Sequence, residues 1–178
     1  VEERPVPQGG VPGEVLSPTQ PFPVNTAPLV NNRLDPKDAF GITLWDKRAC
    51  AKKIRSLRGE GLFTPPSTTG TLTYPFPGGG GNWGSTAFDP ARNLLVVNMS
   101  NVASFARLDE RSGEDIKTSV IRDGAEFAPM EGAPYTLARG LLNSPIGLPC
   151  SPPPWGVMAG VDLSTGNVVW RRTIGTTK

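Results

Sequence analysis

Histidine is absent from this 178-residue chain, and cysteine occurs only twice, at Cys50 and Cys150. Without histidine the chain alone builds neither a Ser-His-Asp triad nor an imidazole metal site. Two thiols fall short of a four-thiolate zinc site. They leave two readings open: one disulfide closing a long loop, or two buried free thiols. Charge of one sign is also lacking. Lys and Arg number 18 against 16 Asp and Glu, a net charge of +2, too little for a strong polyanion-attracting field. No run of about 18 apolar residues occurs, so no membrane-spanning helix is expected. The opening residues, VEERPVPQGG, show neither the basic nor the apolar region of a signal peptide, and the first is Val rather than Met. A processed product or an excised fragment is the expectation from both absences.

What is abundant is glycine (21) and proline (20), roughly a quarter of the chain, alongside a low hydrophobic fraction of 37%. Four Trp and seven Phe argue against wholesale disorder. The expectation is a loop-dominated protein with a modest core. Residues 1–34 carry proline every few positions and read as an extended strap, with a disordered tail as the alternative; Val15, Leu16, Phe22 and Val24 favour the strap.

Residues 35–60 read as a helical insert. Asp35 is a candidate N-cap with Pro36 at the first helical position and Asp38 complementing the dipole. Thr43 followed by Asp46 resembles a capping box opening a longer helix. The spacing puts Leu44, Ala51, Ile54 and Leu57 on one face, with Trp45 and Ala49 at its margins, and Gly59 or Gly61 at the end. Lys47, Arg48, Lys52, Lys53, Arg55 and Arg58 form a basic face, read as solvated, with an anionic partner as the alternative. No nucleic-acid partner is expected, because aromatics do not interleave with these cations as a stacking surface requires.

Residues 61–178 turn to β pattern. Weak alternation marks GTLTY as a strand. STAFD, PARN and LLVVNM read as strand, turn, strand, with Asn93 suited to a left-handed backbone and Leu94 to Val97 to a strand buried on both faces. The charged stretch Arg107 to Phe127 reads as an exposed, mobile loop. LLNSPIGLPCSPPPWG reads as an ordered crossing if Cys150 is tied down. Val157 to Val161 and Asn167 to Thr173 read as strands around a tight turn from Asp162 to Gly166. Asp89 and Asp162 read as turn formers rather than general bases, and Trp155 and Trp170 as packing residues.

This terminal hairpin carries Asp162, Gly166 and Trp170 at the spacing Ala-x-Asp-x-x-x-Gly-x-x-x-Trp, with Gly160 where the pattern prefers Ala. It resembles the tryptophan-docking repeat of the quinoprotein dehydrogenase propellers. RGEGLFTPPSTTGTLTYPFPGGGGNWGSTAFDP, NSPIGLPCSPPPWG and VPGEVLSPTQPFP resemble further segments of the same family. In this order they are similar to its membrane-type glucose and quinate dehydrogenase branch, which uses pyrroloquinoline quinone (PQQ). The resemblance covers nearly the whole chain. It implies a mainly β fold, one to two blades of an eight-bladed propeller with long Pro/Gly-rich loops and a short helical insert. The chain is then an interior slice toward the C-terminal side of a longer protein.

The resemblance further implies roles. Asn82 and Trp83 would contact the quinone, with Gly80 and Gly81 as backbone that permits close approach; a glycine-rich turn with a core Trp is the bland alternative. Cys50 and Cys150 would be structural, and the family's periplasmic setting favours their pairing. Asp162, Gly166 and Trp170 would be structural as well. No catalytic or metal-ligating residue is assigned. The full protein would use PQQ and Ca²⁺, oxidise a sugar or polyol of glucose or quinate type, and pass electrons to ubiquinone at the periplasmic side of the bacterial inner membrane. It would be anchored by a segment outside this chain. The slice itself is expected to be inactive and to bind no cofactor alone. Its partners would be the remaining blades, with homo-oligomers through exposed strand edges. A non-catalytic β-propeller-like binding or assembly module is the competing reading.

Overall fold

A computed structural model describes residues 1–78, 80–81, 86–111 and 118–176. Strands β1 (Glu2–Pro5) and β2 (Thr19–Phe22) pair antiparallel into a two-stranded ribbon. A 3-10 turn at Pro36–Asp38 and helix α1 (Leu44–Arg55) follow. The rest is β: β3 (Thr71–Thr73), β4 (Thr86–Asp89), β5 (Leu94–Ser100), β6 (Ser104–Glu110), β7 (Val120–Arg122), β8 (Ala125–Pro129), β9 (Tyr135–Leu141), β10 (Gly156–Asp162) and β11 (Val168–Gly175).

These strands build two open antiparallel sheets. One is four-stranded in the order β11-β10-β5-β4, the other five-stranded in the order β3-β6-β9-β8-β7. The hairpins β4-β5 and β10-β11 join through β5 and β10, and the chain between those two strands forms most of the second sheet. The crossing after β5 is tied down at each residue. The Asn101 amide donates to the Trp155 carbonyl at 2.8 Å, the Val102 carbonyl accepts from Phe76 at 2.7 Å, and the Ala103 carbonyl accepts from Leu142 at 2.9 Å.

Residues 1–34 pack as a strap, in part through the residues the sequence suggests: Leu16 and Phe22 are half-buried, Val15 and Val24 exposed. Val15 is 96% exposed, whereas Leu29 and Val30 cover the buried cluster of Val97, Met99, Val157 and Ala159 on the four-stranded sheet. Phe22 meets Phe63 edge-on at 5.5 Å between ring centres, and the Arg58 guanidinium donates to the Gln8 and Gly9 carbonyls.

The start of α1 is as expected. Thr43 is the N-cap, its hydroxyl accepting from the Asp46 amide at 3.1 Å. The Asp46 carboxylate reaches back one residue beyond the usual capping box, to the Ile42 amide at 3.3 Å. Asp35, by contrast, makes no side-chain cap. The buried face of α1 is only partly the one expected: Ile54 is buried with Ala51 and Leu57 packed against it, but Asp46 and Cys50 are buried too and Leu44 stands 75% exposed. The covalent bond from Cys50 to Cys150, with Cα atoms 5.2 Å apart, lies on this inner face. Leu34, Ala39, Leu72, Tyr74, Ala103 and Leu142 complete the core there. The helix ends at Arg55, ahead of both glycines, because Arg58 already bridges to Thr71 and donates to the Gly70 carbonyl at 3.0 Å.

Two further expectations change. Leu94, Leu95 and Val96 are only half-buried and Asn98 is exposed, so β5 is fully covered on one face, through Val97 and Met99. The stretch read as a loop from Arg107 to Phe127 supplies parts of β6, β7 and β8; residues 112–117 lie outside the described residues. Its charges conceal strands because they find partners within the sheet, Arg107 with Asp109 along β6 at 2.5 Å and Glu126 with Arg139 across from β8 to β9 at 2.9 Å.

Candidate cofactor-facing site and its hairpin

The glycine run begins where the chain leaves the core. Tyr74 is buried at the core's edge, and burial pushes its phenol above the ordinary value. Phe76 is held by its amide on the Val102 carbonyl. The run then crosses to β5, where the Gly80 carbonyl accepts from the Ser100 amide at 3.1 Å. Gly81 lies against the β5 side chains: a Cβ there would meet Val97 Cγ1 at 3.5 Å and Met99 Cγ at 3.8 Å, ordinary contact distances. A Cβ on Gly80 would meet only Pro75 Cγ, at 3.8 Å. Neither glycine is among those with positive φ. Among the described residues, therefore, neither packing nor backbone conformation demands glycine at 80 and 81. Gly81 is exposed and Gly80 half-buried, with Gly81 seated against Val97 and Met99. Asn82 and Trp83 lie outside the described residues.

Beside the head of the run is a hollow of about 730 Å³, lined by Phe76, Gly78, Phe105, Ile121, Arg139 and Leu141 among others. The Glu126–Arg139 ion pair sits in its wall, and the Arg139 guanidinium holds the Glu126 carboxyl below its ordinary value. Sequence reading missed this hollow because β7 and β8 were hidden in the charged stretch. The alternation of buried Ser104, Ala106 and Leu108 with outward Phe105, Arg107 and Asp109 was the available signal.

The terminal hairpin is built from its turn. The Asp162 carboxylate accepts from the Ser164 amide at 2.8 Å and the Thr165 hydroxyl at 3.0 Å. The Gly166 amide donates to the Asp162 carbonyl at 2.7 Å, with Gly166 at φ +74°. The backbone bond from Ser164 is the foremost cause holding the Asp162 carboxyl below its ordinary value. Asn93, at φ 49°, caps the neighbouring β4-β5 turn and donates from Nδ2 to the Ser164 hydroxyl at 2.8 Å. Asp89 accepts from the Ala91 and Arg92 amides and from the Arg92 guanidinium, which depresses its carboxyl. Both aspartates are occupied in turns. Trp170 pairs across from Gly160 and lies over it: a Cβ on Gly160 would fall 2.3 Å from the indole Nε1. Trp155 donates its indole N–H to the Ser151 carbonyl at 2.8 Å and meets Phe40 edge-on at 5.5 Å. Among the described residues no three His, Cys, Asp or Glu side chains converge to hold a metal. A calcium ligand set is therefore not assigned to them.

Antiparallel sheets with open edges, closed off by an Asp-turn hairpin whose Trp lies over a glycine, are the parts of a β-propeller. The whole chain, residues 1–178, matches the family described as "PQQ: Glucose/ethanol/alcohol dehydrogenase, beta-propeller domain", and the chain belongs to that family. Quinate/shikimate dehydrogenase (quinone) of Acinetobacter baylyi is 35% identical over 99% of this chain and 22% of its own length. Quinoprotein glucose dehydrogenase A of Acinetobacter calcoaceticus is 38% identical, over 99% of this chain and 23% of its own length. The glycerol dehydrogenase large subunit of Gluconobacter thailandicus is 33% identical, over 100% of this chain and 26% of its own length. The chain thus spans about a quarter or less of the curated relatives it matches. No solved structure gives a significant match.

Proposed function

We propose that the full protein is a quinoprotein dehydrogenase oxidising a sugar or polyol hydroxyl of glucose or quinate type, and that this stretch forms one wall of the PQQ site. The observation that carries this reading is the exposed Gly81, seated against Val97 and Met99, in a chain of the PQQ family. Asn82 would supply hydrogen bonds and Trp83 a flat apolar face to the ring. The packed β5 side chains beneath would keep that wall rigid and exclude water from one side. When bound, PQQ supplies the two-electron acceptor for hydride leaving the substrate carbinol. Calcium beside the quinone, ubiquinone as electron acceptor, and a periplasmic position at the bacterial inner membrane belong to the same proposal.

The test is PQQ affinity in the full-length protein, measured by equilibrium dialysis with calcium present. Asn82→Ala and Trp83→Ala should each weaken binding about ten-fold. Gly81→Val, which adds bulk to the glycine run without disturbing a positive φ, should weaken it at least as much. Unchanged affinity in all three variants would remove this wall from the cofactor site. Dye-linked turnover with glucose, quinate and glycerol then selects the substrate class.

A further inference from the structure

Helix α1 carries two unlike faces. Inward lie Asp46, Cys50 and Ile54. Outward, at 100° per residue, fall Leu44, Trp45, Arg48, Lys52 and Arg55, all exposed. Trp45 is 63% exposed, and Ile42, just before the N-cap, 65%. A single exposed apolar side chain is ordinary, but Ile42, Leu44 and Trp45 form a cluster at one end of one helix. Arg48, Lys52 and Arg55 continue it as a positive stripe, one turn apart. None of the three makes an ion pair among the described residues. The one carboxylate of α1, Asp46, is turned into the core. Asp38, in the 3-10 turn packed against α1, is exposed, with Lys37 beside it.

We propose that this face of α1 docks onto an anionic phospholipid surface, with Ile42, Leu44 and Trp45 entering the headgroup region and Arg48, Lys52 and Arg55 meeting the lipid phosphates. Charge complementarity selects the anionic surface. The apolar cluster selects lipid over an acidic protein. These side chains stand out from the molecule, and a protein partner would need a pocket shaped to take them, whereas a headgroup layer accommodates them without one. An indole beside a helix end suits the membrane interface. No described helix is long and apolar enough to cross a bilayer, so α1 would lie on it. This proposal rests on the membrane position proposed above, to which it adds the face that meets the lipid, and it needs no cofactor.

The experiment uses the full-length protein in phosphatidylglycerol vesicles whose acyl chains are brominated at carbons 6 and 7, read by tryptophan emission. Trp45→Phe should remove a definite share of the bromine quenching. Arg48→Glu/Lys52→Glu/Arg55→Glu should remove the same share, each charge being worth roughly five-fold in surface affinity. Should charge reversal lower the melting temperature, the milder Arg48→Gln/Lys52→Gln pair replaces it. Equal quenching in wild type and Trp45→Phe overturns the proposal, since that face is then covered by another part of the protein or by a protein partner. Persistence of the Trp45 share in the charge variants overturns it too, because phosphate contact would not be holding the helix down. Dye-linked activity in detergent, measured on the same samples, reports the dehydrogenase reading separately.

Discussion

At Gly160 the missing side chain is replaced by a neighbour's ring. The Trp170 indole occupies the place where a Cβ would sit, with Nε1 2.3 Å and Cε2 2.4 Å from the ideal Cβ position. The repeat that this hairpin resembles prefers Ala there, whereas here the ring takes that space. Gly160→Ala must then push the indole aside, and overpacking of this kind costs about 1–3 kcal/mol. We expect a lowered melting temperature in the full-length protein, restored in part by Gly160→Ala/Trp170→Phe, which shrinks the ring. An unchanged melting temperature for the single variant would mean that the indole swings away without loss.

At the scale of elements, the bond from Cys50 to Cys150 joins α1 to the segment between β9 and β10 across a sequence separation of 100. A cross-link over so long a loop removes much freedom from the unfolded chain, and native disulfides of this kind contribute about 2–4 kcal/mol. Cys50→Ser/Cys150→Ser should lower the urea midpoint of the full-length protein accordingly and expose the 143–156 segment to proteolysis. A midpoint shift worth less than about 0.5 kcal/mol would show that hydrogen bonds alone hold the crossing, such as that from the Phe40 amide to the Cys150 carbonyl at 2.8 Å. The same bond explains what was legible in the sequence. The N-cap at Thr43 is a local matter of one hydroxyl and one amide, and it could be read from four residues. Which face of α1 is buried depends on a partner 100 residues away, so apolar spacing pointed to Leu44 while the cross-link turned Cys50 inward. The hairpin of Asp162, Gly166 and Trp170 was legible because its turn is self-contained. The hollow at Arg139 was not, because it needs strands that charge pairing disguised.

For the whole molecule, the decisive property is that both sheets are open. Among the described residues β4 and β11 are the outer strands of one sheet, β3 and β7 of the other. β11 is exposed along most of its length, with Val169 55% and Ile174 52% exposed. Unpaired edges bearing apolar side chains recruit further strands. In the relatives, the remaining three quarters or so of the protein is available to cover such surfaces. On the proposed reading the glycine run presents only one wall to a cofactor, and a wall binds a planar ligand poorly when the opposite side is water. The 178-residue stretch produced alone should therefore self-associate in sedimentation and show no dehydrogenase turnover with added PQQ and calcium. The same stretch within the full protein should be monodisperse per assembly and active. Turnover by the isolated stretch would mean that a complete active site lies within it, and would require a base and a second wall that its described residues do not bring to Gly80 and Gly81. A strictly monomeric, cooperatively folded stretch would show instead that the edges of β4 and β11 are protected by twist and charge, as Arg171 and Arg172 on β11 would allow.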